Sequence, residues 1–518
     1  MGTRAARAAV ATWLAGVAAM ALVGSAPGSP LQPPLPTGDA GAGPLAALMR
    51  AAFGGRIASD DPAAVVASVL AIALVVAGFA LVARAAWRGD LSLRATFVLA
   101  VIGCVVVLAM PLLYSRDVYS YALYGRIAAF HHANPYVVTP AEVSTDPFFP
   151  LVGSQWRATT SVYGPVFTML SVGVTRVFEG PAAVVAAFRA LAVLSVLGAA
   201  TLIARTCLRV RRVRPGVAAF AVAVFALNPA VLFQTAGSGH NDAFVALSIA
   251  AAMAFVVSRR ELAATVMLVL GTLIKSTCGV ALVLWIVVVV ARRRGADRWR
   301  ALALHLGTAI GLAIVTALPF LRGGDPTLGQ TQLADHEGWL APARVVRILF
   351  ERIGDAVSAS AGDLASDAVR IVFACVLIGA LVVIAIVAAR VARGAPPGAP
   401  VQPEDAGASW GWGFLAVMLF GPVLLPWYVA WGLPVAWALP RVARRTMLVV
   451  SVLAMASLFA ADAVTFPDAF QLTARWANYV LAPIVLVLAV EPARDLVARW
   501  RRGGDLAQDR ETPIGNAS

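Results

Sequence analysis

The run "LVLGTLIKSTCGVAL", residues 268–282, places the chain's only lysine, Lys275, inside an apolar stretch. Arginine clusters at 259–260 and 292–294 lie on either side of it. Because Lys and Arg concentrate in cytoplasmic loops, the arms 262–274 and 279–291 predict a hairpin whose polar tip faces away from the cytoplasm. Each arm is shorter than the ~20 residues of a comfortable membrane span. Interrupted helices are tolerated where the freed backbone lines protein or a wet cavity, so the run predicts a membrane protein with a lysine at a broken-helix tip.

Composition sets the class of protein. The chain has 518 residues, of which 60% are hydrophobic and only 13% are charged, which is more apolar residue than a soluble core needs. The formal net charge is +14, but the arginines cluster in short segments between apolar runs. That pattern indicates membrane topology rather than nucleic-acid binding. We predict an all-α polytopic membrane protein with about 13–15 transmembrane or re-entrant helices.

Apolar runs of the length of helices recur along the chain. They lie near residues 8–26, 63–84, 93–113, 162–178, 183–204, 214–234, 241–258, 262–274, 279–291, 301–321, 367–391, 411–425, 427–439, 444–463 and 476–490. With the arginine clusters inside, the segments on the other side are 27–62, 114–182, 322–366 and 464–475. This orientation holds only if 162–178 does not cross fully, so we predict that it is re-entrant or lies at the outer interface. The runs 411–425 and 427–439 predict a second short hairpin.

The chain divides into three parts. Residues 1–92 hold the N-terminal spans and the first outer loop, 93–490 form the main transmembrane unit, and 491–518 form a cytoplasmic tail that we predict to be disordered. We interpret residues 1–26 as a signal anchor, with a cleaved signal peptide as the alternative. The Pro/Gly/Ala-rich segment 393–411 predicts a flexible cytoplasmic linker.

The four cysteines are widely separated and show no Cys-x-x-Cys or His/Cys spacing. We therefore expect buried free thiols, with neither a disulfide nor a metal site. No cofactor is predicted.

The outer segment 114–165 is dense in Tyr, His, Asn, Asp and Trp, unlike a plain loop. Helical spacing from Val118 to His131 predicts an amphipathic helix lying on the membrane, ended by the Asn-Pro pair at Asn134. Asp117 stands at the membrane boundary just before that helix. Its simplest role is to cap the helix. The alternative is a general base that removes a proton from a hydroxyl nucleophile.

A second polar group lies in "NPAVLFQTAGSGHNDAF", residues 228–244. His240, Asn241 and Asp242 fall between the outer end of one predicted span and the start of the next. An ordinary turn with a helix cap explains one such residue but not three. Ionisable groups within membrane segments are candidates for function. Two metal-ligand types, at His240 and Asp242, do not make a metal site.

Two further outward segments carry aromatic and polar residues. Trp427 and Tyr428 lie in "LLPWYVAW", residues 424–431, where an aromatic belt at the bilayer boundary is the simpler explanation. The segment 322–366, for which an exposed polar loop is the simpler explanation, adds Asp335, His336, Glu337 and Trp339.

In this order and on one predicted side of the membrane, these elements resemble the polyprenyl-phosphate-mannose-dependent α-mannosyltransferases of actinobacteria. Those are integral membrane enzymes of the GT-C glycosyltransferase superfamily. The resemblance covers residues 93–490 and rests on D-V-Y-S-Y at 117–121, N-P-Y at 134–136, Y-G-P at 163–165, G-H-N-D at 239–242, Lys275 in L-I-K-S-T, and P-W-Y at 426–428. Where the family usually has lysine-proline, this chain has Lys275-Ser276.

The resemblance implies a GT-C fold whose long first outer loop carries the catalytic carboxylate. It also implies inverting transfer from a polyprenyl-phosphate sugar to a glycan or glycolipid acceptor at the outer face of the plasma membrane. On this basis Asp117 is the base, and Lys275 binds the donor phosphate with help from Arg126 or Arg157. The residues assigned to the sugar or acceptor are Tyr119, Tyr121, Asn134, Tyr136, Tyr163, His240, Asn241, Asp242, Trp427 and Tyr428.

Two alternatives remain beside this hypothesis. One is a polyprenyl-phosphate-arabinose transferase of the same fold. The other is a lipid-linked sugar transporter or flippase, since broken helices and charges near them also occur in transporters. Polar residues collected on the outer side, without an internal repeat, favour the enzyme. The sequence has no G-x-G-x-x-G or D-x-D nucleotide-sugar signature, which favours a lipid-linked donor.

Overall fold

The structure is a computed structural model that describes residues 3–35, 43–53, 62–210, 215–321, 338, 340–396, 399–457 and 467–507. Over these residues the chain is helical and contains no β-strand, which confirms the predicted all-α class. The helices of the first half are α1 Arg4–Ser25, α2 Pro44–Phe53, α3 Pro62–Arg88, α4 Leu93–Ala109, α5 Asp117–Ala129, α6 Pro165–Val177, α7 Pro181–Arg209, α8 Pro215–Ala226 and α9 Asp242–Val257. Those of the second half are α10 Glu261–Thr272, α11 Gly279–Ala291, α12 Gly295–Ala317, α13 Pro342–Asp355, α14 Ala359–Gly394, α15 Pro403–Phe420, α16 Val429–Gly432, α17 Arg441–Ala456, α18 Pro467–Trp476 and α19 Ala482–Arg502.

Long apolar helices make this a multi-pass membrane protein. In the described part of the chain, five of them are long and apolar enough to cross a bilayer, and a bent pair makes six. They are Arg4–Ser25, Ala63–Arg88, Pro181–Arg209, Gly295–Phe320 and Ala359–Gly394, with the bent pair Gly216–Ala226 and Ala230–Ala236. The helices α4, α6, α9, α10 and α11 are shorter apolar elements. The predicted number of 13–15 crossing or re-entrant elements stays a prediction.

The predicted span 214–234 is broken where the sequence analysis expected a continuous helix. The helix α8 ends at Ala226, and a π-helical turn follows over Ala230–Ala236 at an angle of 44°. Pro229 lies at the bend and lacks a backbone N–H, while the Asn228 side chain accepts a hydrogen bond from the N–H of Ala230. π-Helical turns inside helices often lie at functional sites, and this one leads directly into the Gly-His-Asn-Asp turn.

The helix α5 corrects the prediction of an amphipathic helix on the membrane surface. Eleven of its 13 residues are buried. Gly125 is the reason that α5 can approach α6 closely, because a Cβ there would lie 2.5 Å from the carbonyl oxygen of Ser171. Tyrosines were predicted to lie in the interface, but a tyrosine is also buried readily once its hydroxyl finds a partner in the protein. The helix that begins with Asp117 is therefore a core element.

The α10–α11 hairpin has the predicted break at its tip. The helix α10 ends at Thr272, Ser276–Cys278 form a short 3₁₀ turn, and α11 starts at Gly279. The second predicted hairpin differs in its second arm, which is a 3₁₀ turn at Pro426–Tyr428, the four-residue α16 and a 3₁₀ segment at Leu433–Ala438. Pro426 and Pro434 lack the backbone N–H that a continuous helix needs.

Two segments predicted to be unstructured are helical. Residues 403–411 of the predicted linker form the start of α15, with Trp410 fully buried, because Pro403 begins a helix whose apolar face packs on α11 and α14. Residues 491–502 of the predicted tail continue α19 to Arg502, where Gly503 ends the helix in a left-handed conformation with φ of 65°.

Candidate active site

Asp117 is the first residue of α5 and is almost buried, with 8% of its surface exposed. Its N–H donates to Ser115 Oγ at 3.1 Å, and Trp156 Nε1 donates to its Oδ1 at 3.2 Å. Arg116 holds the cap position of α5, and the described residues make no side-chain cap there, so the helix-capping role considered for Asp117 is not the one it has. Burial raises the pKa of the Asp117 carboxyl to about 6, and the charge of Asp242 adds to the rise.

His240 faces Asp117 from the turn before α9. Its Nδ1 lies 3.7 Å from Asp117 Oδ2 and 3.1 Å from the hydroxyl of Tyr121. The indole of Trp427 stacks on the imidazole with ring centroids 3.7 Å apart and planes 17° apart. Burial, helped by the charge of Lys275, holds the pKa of His240 well below its usual range, so the ring is neutral. Its Nε2 is buried and has no hydrogen-bond partner within the described residues.

Lys275 is paired with Asp242, the last residue of the Gly-His-Asn-Asp motif. Lys275 Nζ donates to Asp242 Oδ1 at 2.9 Å and to Oδ2 at 3.1 Å, and Trp431 Nε1 donates to Oδ1 at 2.6 Å. The ammonium also lies 4.4 Å from the ring centroid of Tyr428 and 5.3 Å from that of Trp431. Asp242 is fully buried, whereas 13% of the Lys275 side chain is exposed. The pair is therefore accessible only from the lysine side.

A backbone junction joins the lysine tip to the outer segment. The N–H groups of Gly164 and Val166 donate to the carbonyls of Ile274 and Leu273 at 3.1 and 3.0 Å. Gly164 allows this approach, because a Cβ there would lie 2.1 Å from the Leu273 carbonyl oxygen. The carbonyls of Leu273, the C-cap residue of α10, and of Ile274, which follows it, thereby gain backbone donors from outside the helix. Lys275 follows immediately, so its place in the site is set by this junction.

Several other predicted residues support the site. Tyr121 is fully buried between Tyr163, Phe167 and Phe188, with edge-on ring contacts at 4.9 to 5.9 Å. The buried Tyr136 hydroxyl donates to the carbonyl of Tyr163 at 2.7 Å. The buried amide of Asn241 has no partner within the described residues.

Two further predicted residues lie elsewhere in the bundle. Asn134 donates to the carbonyl of Phe320 at 2.6 Å and joins the outer segment to the 3₁₀ turn that follows α12. Tyr119 is fully buried in α5.

The two arginines predicted to bind phosphate hold the outer segment together. Arg126 Nε lies 2.9 Å from both carboxylate oxygens of the buried Asp146. Arg157 donates to the carbonyls of Val152 and Pro150, each at 3.2 Å, and its guanidinium lies over the ring of Phe149. Asp146 gave no signal in the sequence, because it lies 20 residues after its partner.

Two tryptophans that contact the site carboxylates were not among the predicted site residues. Trp156 binds Asp117, and Trp431 binds Asp242. Trp156 lies in the segment 114–165, which the sequence analysis described as rich in aromatic and polar residues. Trp431 lies in the stretch 424–431, for which an aromatic belt was the simpler explanation. Asp335, His336, Glu337 and Trp339 lie outside the described residues. Among the residues that the structure does describe, no three His, Cys, Asp or Glu side chains are grouped to hold a metal ion, and Cys375 is exposed rather than buried.

This arrangement brings a nearly buried carboxylate, a neutral imidazole and an ion pair within one cluster of aromatic rings, at the ends of broken apolar helices. A carboxylate with a raised pKa can accept a proton from a hydroxyl, and aromatic faces can pack on a sugar or a prenyl chain. Fold and site together define a helical, multi-pass membrane protein with a buried polar cluster at its helix ends.

Comparison with known proteins places the chain in a family. It belongs to the family described as "Alpha-(1->6)-mannopyranosyltransferase, N-terminal domain", whose model matches residues 14–292. The chain is similar to alpha-(1->6)-mannopyranosyltransferase A of Mycobacterium tuberculosis, with 27% identity over 357 residues. It is also similar to the protein of that name from Corynebacterium glutamicum, with 26% identity over 184 residues. The predicted likeness to actinobacterial α-mannosyltransferases is thereby confirmed.

The matches cover part of each relative. The first spans 67% of this chain and 65% of the Mycobacterium protein, slightly less than two thirds of its length. The second spans 35% of this chain and 36% of the Corynebacterium protein. The family match includes Asp117, His240, Asp242 and Lys275, whereas Trp427 lies beyond it.

Proposed function

We propose that the protein is an inverting membrane mannosyltransferase that uses a polyprenyl-phosphate-mannose donor. The acceptor is a glycan or glycolipid of the cell envelope, and the site lies on the outer face of the plasma membrane. The observation that carries the proposal is the Asp117 carboxylate, nearly buried and held by Trp156, with its pKa raised to about 6. The names of the two relatives favour mannose over arabinose as the transferred sugar.

In the proposed reaction, Asp117 takes the proton of the acceptor hydroxyl. The hydroxyl oxygen forms a bond to the anomeric carbon of mannose while the bond from that carbon to the phosphate oxygen breaks. The leaving group departs with its electron pair as polyprenyl phosphate, and attack from the opposite face inverts the configuration. A base whose pKa lies slightly below neutrality suits this step, because it is ionised at pH 7 but still basic enough to accept the proton.

Lys275 is the proposed contact for the donor phosphate. It directs two hydrogen bonds to Asp242, and an ammonium has three N–H donors, so one donor remains for a ligand that approaches its exposed side. The pair with Asp242 holds the lysine in place before the donor arrives, which reduces the reorganisation needed to stabilise the leaving phosphate. Arg126 and Arg157 are engaged within the outer segment, so the proposal gives the phosphate to Lys275 rather than to them.

The sugar is proposed to contact the aromatic and polar residues around His240. His240 Nε2 and the Asn241 amide are buried groups whose hydrogen-bonding capacity is unused within the described residues. Buried polar groups nearly always have partners, so a hydroxylated ligand is a natural partner for them. The rings of Trp427 and Tyr428 provide apolar faces beside these groups.

The test is direct. Membranes that contain the protein are incubated with radiolabelled polyprenyl-phosphate-mannose and, separately, with the polyprenyl-phosphate-arabinose analogue, and the labelled products are separated. We expect label from the mannose donor in a glycolipid or glycan, with the anomeric configuration inverted. Label only from the arabinose donor would identify the sibling activity. Movement of an intact lipid-linked sugar across the bilayer without transfer would identify a transporter.

A further inference from the structure

Arg189 is a buried charge that the proposed chemistry does not use. It lies in α7, eight residues after the first residue of the helix and therefore about 12 Å along its axis. Only 4% of its surface is exposed. A charged side chain inside an apolar membrane helix is costly and is a candidate for function by default.

The hydrogen bonds of Arg189 within the described residues all go to backbone carbonyls. Nε donates to Gly237 at 2.6 Å, and Nη1 donates to Met110 at 2.9 Å. Nη2 donates to the carbonyl of Val107 and, at 3.5 Å, to that of Pro111. One guanidinium thus binds two separate segments of backbone from its different edges. A guanidinium is suited to this because its donors are fixed in one planar fork.

These carbonyls belong to two backbone segments that come shortly before Asp117 and His240 in the chain. Val107, Met110 and Pro111 lie at the C-terminal end of α4, where helix carbonyls lack partners, and the chain reaches Asp117 six residues after Pro111. Gly237 lies three residues before His240. The Arg189 side chain is therefore the bridge between the segment that delivers Asp117 and the turn that delivers His240.

Two neighbouring features reinforce the bridge. Ser238 Oγ donates to the carbonyl of Leu113 at 2.8 Å, which joins the same two segments a second time. Gly239 has a left-handed φ of 72°, and a Cβ there would lie 3.2 Å from Arg189 Cγ. The turn is thus shaped to pack on the arginine stem, directly before His240.

We propose that Arg189 is a positioning residue that fixes the separation and burial of Asp117 and His240. It does so by hydrogen bonding to the backbone of the segment before Asp117 and of the turn before His240. It acts through those two residues and does not contact the substrate. The inference rests on the proposed function, because the geometry that it protects is that of the proposed base. Without the arginine, four carbonyls lose their donor, both segments gain freedom, and Asp117 becomes more exposed. Its pKa then falls from about 6 toward the ordinary aspartate range.

The experiment uses the full chain in lipid nanodiscs with three variants, Arg189→Met, Arg189→Lys and Arg444→Met. Arg444 is the matched control, because it is an arginine at a helix start that also donates to a backbone carbonyl, that of Leu439, and packs on Trp87, away from the site. Two readouts are taken: the pH profile of mannosyl transfer, and amide hydrogen exchange followed by mass spectrometry of peptides that cover 110–121 and 236–242.

For Arg189→Met we expect kcat to fall about 100-fold with little change in the KM for the donor, because a displacement of about 1 Å in a reacting group has that effect. The acidic limb of the profile should move to lower pH, and exchange should rise in both peptides together. Arg189→Lys keeps the charge but loses the planar guanidinium with its several donors, so its kcat should fall about 10-fold. Arg444→Met should change neither the limb nor the exchange in these peptides.

Two results overturn the proposal. One is unchanged exchange in both peptides of Arg189→Met and Arg189→Lys. The other is a loss of activity with an unmoved acidic limb, which a merely structural residue would give by lowering the amount of folded enzyme. If the wild-type protein transfers no mannose, the proposed function fails. Hydrogen exchange in the two peptides then still shows whether Arg189 holds the two backbone segments in place.

Discussion

The ammonium of Lys275 lies 2.9 Å from Oδ1 and 3.1 Å from Oδ2 of Asp242, a carboxylate that is fully buried. The sequence presents these residues as a lone charge in an apolar run and as part of a polar turn 33 positions earlier. In the structure each supplies the counter-charge that makes burial of the other tolerable. A change at either position is therefore a change to both.

Replacing Lys275 alone should be more harmful to folding than replacing the pair. Lys275→Ala leaves an uncompensated buried carboxylate, and removing one partner of a buried ion pair costs about 3–5 kcal/mol of unfolding free energy. Lys275→Ala/Asp242→Ala should recover a large part of that loss. Thermal unfolding in detergent micelles measures both, and equal stability of the single and double variants would show that the pair is not coupled.

The same variants separate structure from donor binding. If Lys275 contacts the donor phosphate, the double variant should keep a raised KM for the lipid donor even where its stability is restored. Steady-state kinetics against donor concentration measures this. A donor KM that returns to the wild-type value with stability would remove the phosphate role from Lys275.

Asp117→Asn should abolish the proposed base while keeping the shape of the site. An amide can still accept a hydrogen bond from Trp156, so the fold should persist. Loss of a general base lowers the rate by about 10²- to 10⁴-fold. Mannosyl transfer in membranes with matched amounts of protein measures the effect. Transfer at the wild-type rate would exclude Asp117 as the base.

The rate should depend on pH through Asp117. The ionised carboxylate is the active form, and burial raises its pKa to about 6. Transfer should therefore be full above pH 7 and should fall as the pH drops through 6, tenfold per pH unit below it. The profile of kcat/KM against pH measures this limb. A limb near pH 4, the ordinary value for an aspartate, would show that the carboxyl is more hydrated than its burial indicates.

Gly164→Ala should disturb the junction between the outer segment and the lysine tip. The added Cβ would lie 2.1 Å from the backbone oxygen of Leu273, and a backbone atom cannot rotate away. We expect a loss of stability of about 1–3 kcal/mol from overpacking, together with reduced transfer. Gly173→Ala in α6 is the matched control, because a Cβ there meets nothing within 4 Å. Equal behaviour of the two variants would contradict the structural role of Gly164.

Two features could be predicted from the sequence: the break in the α10–α11 hairpin, and the proximity of the polar motifs that contain Asp117, Asp242 and Lys275. Arginine clusters determine which hairpin tips share a side, and Lys275, Asp242 and Asp117 all lie at such ends. The pairing of Lys275 with Asp242 was not predictable, because sidedness does not specify which charges touch.

Other features depend on contacts between distant parts of the chain. The burial of α5 depends on Gly125 meeting Ser171 in another helix, and periodicity within α5 does not report it. Arg126 looked available for a phosphate because its partner, Asp146, lies in an irregular segment. The bend at Pro229 was hidden by the apolar residues on both of its sides. Hydropathy locates apolar segments well, but it does not identify the distant contacts that determine whether a segment is buried, paired or bent.

The hydrogen bonds from Gly164 and Val166 to the carbonyls of Ile274 and Leu273 have a consequence for evolution and engineering. They join the outer segment and the lysine hairpin into a single structural unit, although more than 100 residues of chain separate them. A chimera that takes the outer segment from one relative and the hairpin from another would disrupt these backbone hydrogen bonds. Exchange of substrate preference between relatives should therefore succeed only when both pieces are transplanted together.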